Sequence, residues 1–253
     1  MREYGVRKLK CTISYDGTNF YGFQIQPKLR TVQGELEKAL MKLHKGDDVS
    51  LQASGRTDKG VHAIGQVVHF ETAYTIPEAH WKKALNRLLP GDVYIKEIQE
   101  VPSHFHARYS ALDKEYHYLV WNTYEPDVFR RNYVYHFPYA LDLRAMQEAC
   151  HYLQGEHDFT SFSSTQATVK GSKIRHLYEV RCEKNGHEIR FIFRGNGFLY
   201  RMVRIMVGTL LEIGQGKRNP ADIPHLLEQK DRRLVGKTAP ARGLYLYHVN
   251  YNK

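Results

Sequence analysis

The alternation of hydrophobic and polar residues predicts a chain of mixed strands and helices. Residues 9–15 alternate with a period of two, which is typical of a strand with one buried face. Thr31 is placed to cap a helix whose apolar residues recur at intervals of three and four, and which ends before Gly46. The same reasoning predicts further strands at 66–71, from 93, and at 105–110, 115–122, 173–182 and 187–194, and further helices at 77–90, 142–155, 202–214 and from 219.

The order of these elements favours an α+β fold over a doubly wound parallel sheet, because helices are separated by pairs of neighbouring strands. We predict two related halves, residues 1–105 and residues 106–253. Each half is expected to be a mainly antiparallel sheet with helices on one face. The first half contains the loop with the highest density of candidate functional residues, 54–63, and the second half carries the larger net positive charge.

Charge points to an anionic partner. The 253 residues include 37 Lys and Arg against 27 Asp and Glu, a formal net charge of +10. Residues 106–253 carry 22 basic and 15 acidic side chains, whereas residues 1–105 carry 15 and 12. The 18 Tyr and 14 His among these basic residues suit base stacking and phosphate contact. Many basic proteins bind no nucleic acid, so charge alone does not decide the partner.

Other features predict a cytoplasmic protein that needs no metal. No stretch approaches the roughly 20 apolar residues of a spanning helix, and the N-terminus has no apolar leader segment. Cys11, Cys150 and Cys182 are widely spaced and indicate buried thiols. His104 and His106 have no third ligand at metal-binding spacing nearby.

Three segments are candidates for the chemistry. The loop SGRTDKGVHA, residues 54–63, places Arg56 and Asp58 two residues apart between glycines, although an ordinary turn has the same composition. Asp16, at the end of the first strand, competes with Asp58 by residue type. Arg204 lies among apolar helix residues, where a buried carboxylate would be a suitable partner. The motifs of serine hydrolases, P-loop NTPases and dinucleotide-binding enzymes are not in the sequence.

The residues of the first loop resemble the G-R-T-D-x-G-V-H-A signature of the tRNA pseudouridine synthase A family. Further blocks resemble that family in the same order, from about residue 8 to 247. The stretch 163–171 matches the family pattern least. The blocks are YDGTNFYGFQIQP, TVQGELEKAL, NRLLPGDV, FHARYSALDKEYHYLVWN, FLYRMVRIMVG and ARGLYL.

The resemblance implies a pseudouridine synthase fold with an RNA-binding cleft between the halves, and an enzyme that isomerises uridine at positions 38, 39 and 40 in the anticodon arm of tRNA. The reaction exchanges an N1 glycosidic bond for a C5 bond without redox change, so no cofactor is expected. Asp58 is implied to be the catalytic carboxylate. It acts either as a nucleophile on the sugar or as a base at the 2′ carbon.

The resemblance also assigns roles to other residues. Arg204 would pair with Asp58. Tyr116 would stack on the target base and assist its deprotonation, and Leu244 would form an apolar wall beside the uracil. Arg56 would fill the gap left by the flipped uridine. Family members form homodimers, so a dimer is expected. In addition to Arg56, three basic side chains are expected to contact phosphates: Arg108, Lys114 and Arg175.

Two other classes compete with this hypothesis. One is an RNA-binding paralogue that has no turnover, against which the presence of Asp58, Arg204 and Tyr116 argues. The other is a metal-dependent RNA-cleaving enzyme, which would need clustered acidic residues that the sequence does not provide.

Overall fold

The computed structural model describes residues 5–165 and 171–251. The chain divides into two compact units. The first contains the described residues up to 112 together with those from 246 onward, and the second contains the described residues between 113 and 245. The end of the chain therefore returns to the first unit.

The first unit is an antiparallel sheet with two helices. Its long strands are β1 (Arg7–Tyr15), β3 (His62–Thr72) and β4 (Val93–Val101), with β1 between the other two. The short strand β2 (Gln52–Ala53) pairs with β3. The helices are α1 (Val32–Leu43), before β2, and α2 (Glu78–Leu88), which packs against β4. The last strand of the chain, β10 (Leu244–Asn250), enters this unit from Leu246 and follows β3 in the sheet order.

Local sequence explains these elements. The side chains of Leu9, Cys11 and Ile13 are buried while their neighbours are partly exposed, as the alternation predicts. The Thr31 hydroxyl accepts a hydrogen bond from the Gly34 N–H and caps α1. Pro77 precedes α2, where its missing N–H costs no helical hydrogen bond.

The second unit is a sheet in the order β5 (Asp113–Trp121), β9 (Glu188–Gly195), β8 (Ile174–Asn185), β7 (Gly155–Asp158), all antiparallel neighbours. The short strand β6 (Tyr135–His136) pairs with β5 in parallel. The described residues of this unit form three α-helices: α3 (Leu143–Tyr152), α4 (Met202–Gly214) and α5 (Asp222–Glu228).

Helix α4 is the centre of the second unit. Most of its side chains are buried, including those of Ile205, Met206 and Leu210, and α3 packs against it. A helix that is apolar on nearly every side must be covered on nearly every side. Arg201, at its N-cap, has a left-handed backbone with φ of 61°, which is uncommon for a residue other than glycine.

The α+β class with mainly antiparallel sheets is confirmed. The prediction of a strand at 105–110 is wrong, since this segment forms turns. The His106 ring Nδ1 accepts hydrogen bonds from the backbone N–H groups of Arg108 and Tyr109, and the Ser110 hydroxyl oxygen accepts one from the N–H of His106. These local side-chain bonds replace the ladder bonds that a strand would make.

Candidate active site

Asp58 lies on a short loop between β2 and β3 in the first unit. The Asp58 carbonyl accepts a hydrogen bond from the Val61 N–H at 3.1 Å, which closes a turn, and Gly60 within that turn has φ of +77°. The side chain of Asp58 is half-buried, whereas Arg56 and Lys59 on either side are exposed. The loop thus carries one sheltered carboxylate between two exposed cations.

A second loop, residues 16–23, packs directly on the Asp58 loop. The Phe23 N–H donates to the Thr57 carbonyl at 3.0 Å, and the Gly60 N–H donates to the Phe20 carbonyl at 3.3 Å. Gly22 has φ of +93°, and a Cβ atom there would lie 2.8 Å from the Thr57 carbonyl oxygen. Backbone therefore meets backbone beside Asp58, and this contact requires glycine.

Asp16, the competing carboxylate, has a local structural role. Its Oδ1 accepts hydrogen bonds from the backbone N–H of Thr18 at 2.9 Å and from the Thr18 hydroxyl at 2.5 Å. A side-chain oxygen used in this way folds its own turn. The same Oδ1 also lies 3.2 Å from Nδ1 of the buried His62, so Asp16 contacts β3 as well as its own turn.

Tyr116 lies on β5 in the second unit, opposite Phe193 of β9. Its side chain is 9% exposed, and its ring meets that of Phe198 edge to face at a centroid distance of 4.9 Å. Tyr118, two residues further along the same face, is completely buried and its hydroxyl donates to the Pro240 carbonyl at 2.7 Å. Burial raises the pKa of the Tyr118 phenol well above its usual value.

Arg204 lies in the first turns of α4 and binds the segment that precedes β10. Its Nε donates to the Ala239 carbonyl at 2.7 Å, and the Ala239 N–H donates to the Arg204 carbonyl at 3.0 Å. One helix turn later, a Cβ atom on Gly208 would lie 1.7 Å from the Lys237 carbonyl oxygen. The segment 236–240 therefore follows α4 closely and depends on both residues.

Leu244 begins β10 directly after a short 3₁₀ helix, Ala241–Gly243, and its side chain is buried. A Cβ atom on Gly243 would lie 2.8 Å from both the Leu119 carbonyl oxygen and the Tyr118 ring. Within the second unit, the segment 236–244 thus contacts α4 through Ala239 and β5 through Pro240 and Gly243. The structure brings the elements of Tyr116, Arg204 and Leu244 together, and the sequence offered no signal for the part played by Ala239 and Pro240.

The comparisons with known proteins agree on one family. A family model described as tRNA pseudouridine synthase matches residues 12–110 and 149–252. The chain belongs to this family. It is 59% identical over 248 residues to the tRNA pseudouridine synthase A of Oceanobacillus iheyensis, which covers 98% of each chain. It is 58% identical over 247 residues to the protein of the same name from Anoxybacillus flavithermus, covering 98% of this chain and 100% of the relative.

Among solved structures, this member of the tRNA pseudouridine synthase family is similar to one titled "Crystal Structure of a Cbf5-Nop10-Gar1 Complex". The identity is 14% and the TM-score 0.34, over 80% of this chain and 54% of that chain.

The residues matched by the tRNA pseudouridine synthase family model include Arg56, Asp58, Arg204 and Leu244. Tyr116 lies between the two matched segments, in a part of the chain that the full-length relatives cover. The residues predicted for the site thus fall into two groups. Arg56 and Asp58 share a loop of the first unit, and the other three are positioned by the second unit.

The basic residues predicted to contact RNA are divided between the two units of this member of the tRNA pseudouridine synthase family. Arg108 is exposed beside the Tyr109 ring, with the guanidinium carbon 5.7 Å from the ring centroid. Lys114 is half-buried on β5, opposite Gly195. The Arg175 guanidinium donates to the Ser172 and Ile174 carbonyls, and burial lowers its pKa. Of the weakly matching stretch 163–171, residues 166–170 lie outside the described part of the chain.

Two further findings concern the described residues alone. Within 5–165 and 171–251, no group of three or more His, Cys, Asp or Glu side chains is arranged to hold a metal ion. In the same ranges, none of the helices has the length and apolar character that crossing a membrane requires.

Proposed function

We propose that this protein isomerises uridine to pseudouridine in tRNA, at positions 38, 39 and 40 of the anticodon arm. Membership of the tRNA pseudouridine synthase family supports the reaction and the substrate. The observation that carries the site assignment is the Asp58 loop, which lies within the matched residues and holds a half-buried carboxylate against a glycine-bearing loop.

The chemistry that we assign to Asp58 follows from the bonds exchanged. The N1–C1′ bond of uridine breaks, a C5–C1′ bond forms, the C5 proton leaves and N1 takes up a proton. No electrons are gained or lost overall, so the reaction needs no oxidant or reductant. Asp58 either attacks C1′ or removes the C2′ proton, and in both cases it must be ionised. Tyr116 and Leu244 are proposed to hold the uracil, and Arg204 to act with Asp58.

Access to the target is proposed to occur by base flipping. A base in a folded anticodon arm must leave the stack before its sugar can be attacked, at a cost of a few kcal/mol. Arg56 is exposed and lies two residues before Asp58, so it is the side chain that we propose enters the vacated position. Arg108, Lys114 and Arg175 would then contact phosphates and give binding that weakens with salt.

A homodimer, which the family resemblance implies, and a cytoplasmic location complete the proposal. Sedimentation equilibrium of the purified protein should give twice the 29.5 kDa mass of the chain. A monomer at the concentrations used in the activity assay would contradict this part, and cell fractionation would test the location.

The experiment for the whole proposal is a pseudouridine map of tRNA from cells with and without this protein. We expect pseudouridine at positions 38 to 40 to disappear without it and to return with the wild-type chain. Unchanged pseudouridine at all three positions would contradict the function. Purified protein that binds tRNA without converting uridine would favour the RNA-binding paralogue.

A further inference from the structure

A buried amide lies underneath the Asp58 loop. Gln66, on β3, is 0% exposed. Its Oε1 accepts hydrogen bonds from the Ser54 hydroxyl at 2.7 Å and from the Val67 N–H at 3.1 Å. Its Nε2 donates to the Gly55 carbonyl at 2.8 Å. Because two donors face one end of the amide and a carbonyl faces the other, the partners define which end is oxygen.

Tyr15 holds the far side of the loop. Its phenol oxygen lies 2.8 Å from the Thr57 hydroxyl oxygen, and Gln66 is near enough to lower the pKa of this phenol, against the larger effect of burial. Tyr15 is at the end of β1, beyond an irregularity in the pairing of β1 with β3 between Ile13 and Tyr15. Such irregularities re-aim side chains at the edges of sheets. Gln66 thus bonds the loop at Ser54 and Gly55, and Tyr15 bonds it at Thr57.

Core stability alone does not account for an amide at this position. Burying an amide costs about 1–3 kcal/mol unless every polar atom finds a partner, and an apolar side chain of similar size would avoid that cost. The partners of Gln66 are concentrated on the loop rather than spread through the core. Its contacts therefore specify the path of the chain at Ser54 and Gly55, and the Tyr15 bond to Thr57 continues this support to one residue before Asp58.

We propose that Gln66 is a positioning residue, whose amide fixes the loop that presents the Asp58 carboxylate. This inference rests on the proposed function, since it assigns Gln66 to the same reaction. It acts through the loop and requires no contact with RNA.

Two substitutions of Gln66 separate positioning from packing. Gln66→Leu removes every hydrogen bond of the amide. Gln66→Glu, when protonated, can donate to the Gly55 carbonyl and accept from Ser54, whereas the ionised form cannot donate. Burial raises the pKa of such a carboxyl group. Burial also raises the pKa of the neighbouring Tyr15 phenol to about 12, so this group stays neutral in the assay range.

A matched control is Thr72→Val, at the other end of β3. Thr72 is buried, and its hydroxyl oxygen accepts from the Tyr74 N–H and contacts the His44 ring, away from the Asp58 loop.

We expect kcat of Gln66→Leu to fall about a hundredfold with KM for tRNA within about threefold, because a small misplacement of a reacting group costs that much. Thr72→Val should keep its kcat.

The pH profile supplies the rescue test. The activity of Gln66→Glu relative to wild type at each pH should rise as pH falls, since protonation restores the donor to Gly55. A ratio that stays as low as that of Gln66→Leu at every pH, or wild-type kcat for Gln66→Leu, would overturn the proposal.

Amide hydrogen exchange tests positioning without any turnover. Three backbone amides report on the Asp58 loop: Val61 donates within it, Phe23 donates to it, and Gly60 donates from it to the neighbouring loop. They should exchange faster in Gln66→Leu while amides of β4 keep their protection. Unchanged exchange at these three amides would overturn the role of Gln66 even if the wild-type protein converts uridine. If exchange is faster in Gln66→Leu but the wild-type protein converts no uridine, the proposed function is rejected. The structural role of Gln66 in fixing the Asp58 loop would still stand.

Discussion

The two units hold the residues predicted for the site by different means. In the first unit, side-chain polar groups buried under the Asp58 loop define its course, with Gln66 and Tyr15 at the centre. In the second unit, main-chain carbonyls and close glycine contacts hold the segment 236–244 against α4 and β5. A carboxylate that reacts must be placed by directional bonds, whereas a wall of a pocket can be placed by packing. The comparison predicts that the first unit is the more sensitive to small displacements of backbone.

The largest effect is expected from Gly22→Ala in the first unit. The added methyl group would meet the Thr57 carbonyl oxygen at 2.8 Å, and φ is +93°. The Asp58 loop must move, and kcat should fall about a hundredfold or more. Gly46→Ala is the control, because φ there is +107° but no atom lies within 4 Å of the added carbon. In chemical denaturation both variants should lose about 1–2 kcal/mol from the left-handed backbone, and Gly22→Ala should lose more because of the contact with Thr57. Equal kcat values for both would show that the close contact does not matter.

In the second unit, Arg204→Ala should have the next largest effect. It removes the charged donor to the Ala239 carbonyl and the proposed partner of Asp58. Because a hydrogen bond to a charged group contributes about 2 kcal/mol, we expect kcat/KM to fall about thirtyfold. Thr209→Val is the matched control. The buried Thr209 hydroxyl accepts from the Gly236 N–H, at the other end of the same segment, and carries no charge. If kcat/KM falls as much in Thr209→Val as in Arg204→Ala, the only role of Arg204 is to hold the segment 236–240.

Arg56→Ala should have a smaller effect that depends on the substrate. If Arg56 replaces a flipped uridine, single-turnover rates should fall about tenfold on an anticodon arm whose target is paired, and only about twofold where it is mismatched, because extrusion is already cheap there. The same defect on both arms would move Arg56 to the chemical step or to general phosphate binding.

Tyr118→Phe should have the smallest effect on turnover. It removes the hydrogen bond to the Pro240 carbonyl, which should cost about 1 kcal/mol of unfolding free energy and leave kcat within about twofold. Denaturant unfolding and steady-state kinetics measure the two quantities. A large loss of kcat with unchanged stability would place Tyr118 in the reaction instead of in the core.

Much of the fold is contained in local patterns, and much of the site is not. The alternation of 9–15, the Thr31 cap and the apolar periodicity of α4 each act over a few residues, so the sequence predicts them. The loop of Asp58 is recognisable as a motif. The turns at 105–110 were missed because a His ring and a Ser hydroxyl bind nearby backbone, which composition does not reveal.

Long-range contacts account for the rest. No strand was predicted at Leu244–Asn250, a strand whose place in the first unit depends on how the whole chain folds back. Tyr15 and Thr57 are 42 residues apart, and Arg204 and Ala239 are 35 apart. Periodicity carries no information about such pairs. Gln66 in particular reads as an ordinary polar residue in a strand until its partners are seen.

The most direct test of the central claim is release of the C5 proton under single-turnover conditions, with tRNA tritiated at C5 of uridine, by Asp58→Asn and Asp16→Asn. We expect no release by Asp58→Asn, with tRNA affinity within about tenfold of wild type because phosphate contacts dominate binding. Asp16→Asn keeps an oxygen that can accept from Thr18, so it should release tritium at a rate within about tenfold of wild type. Measurable release by Asp58→Asn, or its loss in Asp16→Asn alone, would contradict the assignment of Asp58 as the catalytic carboxylate.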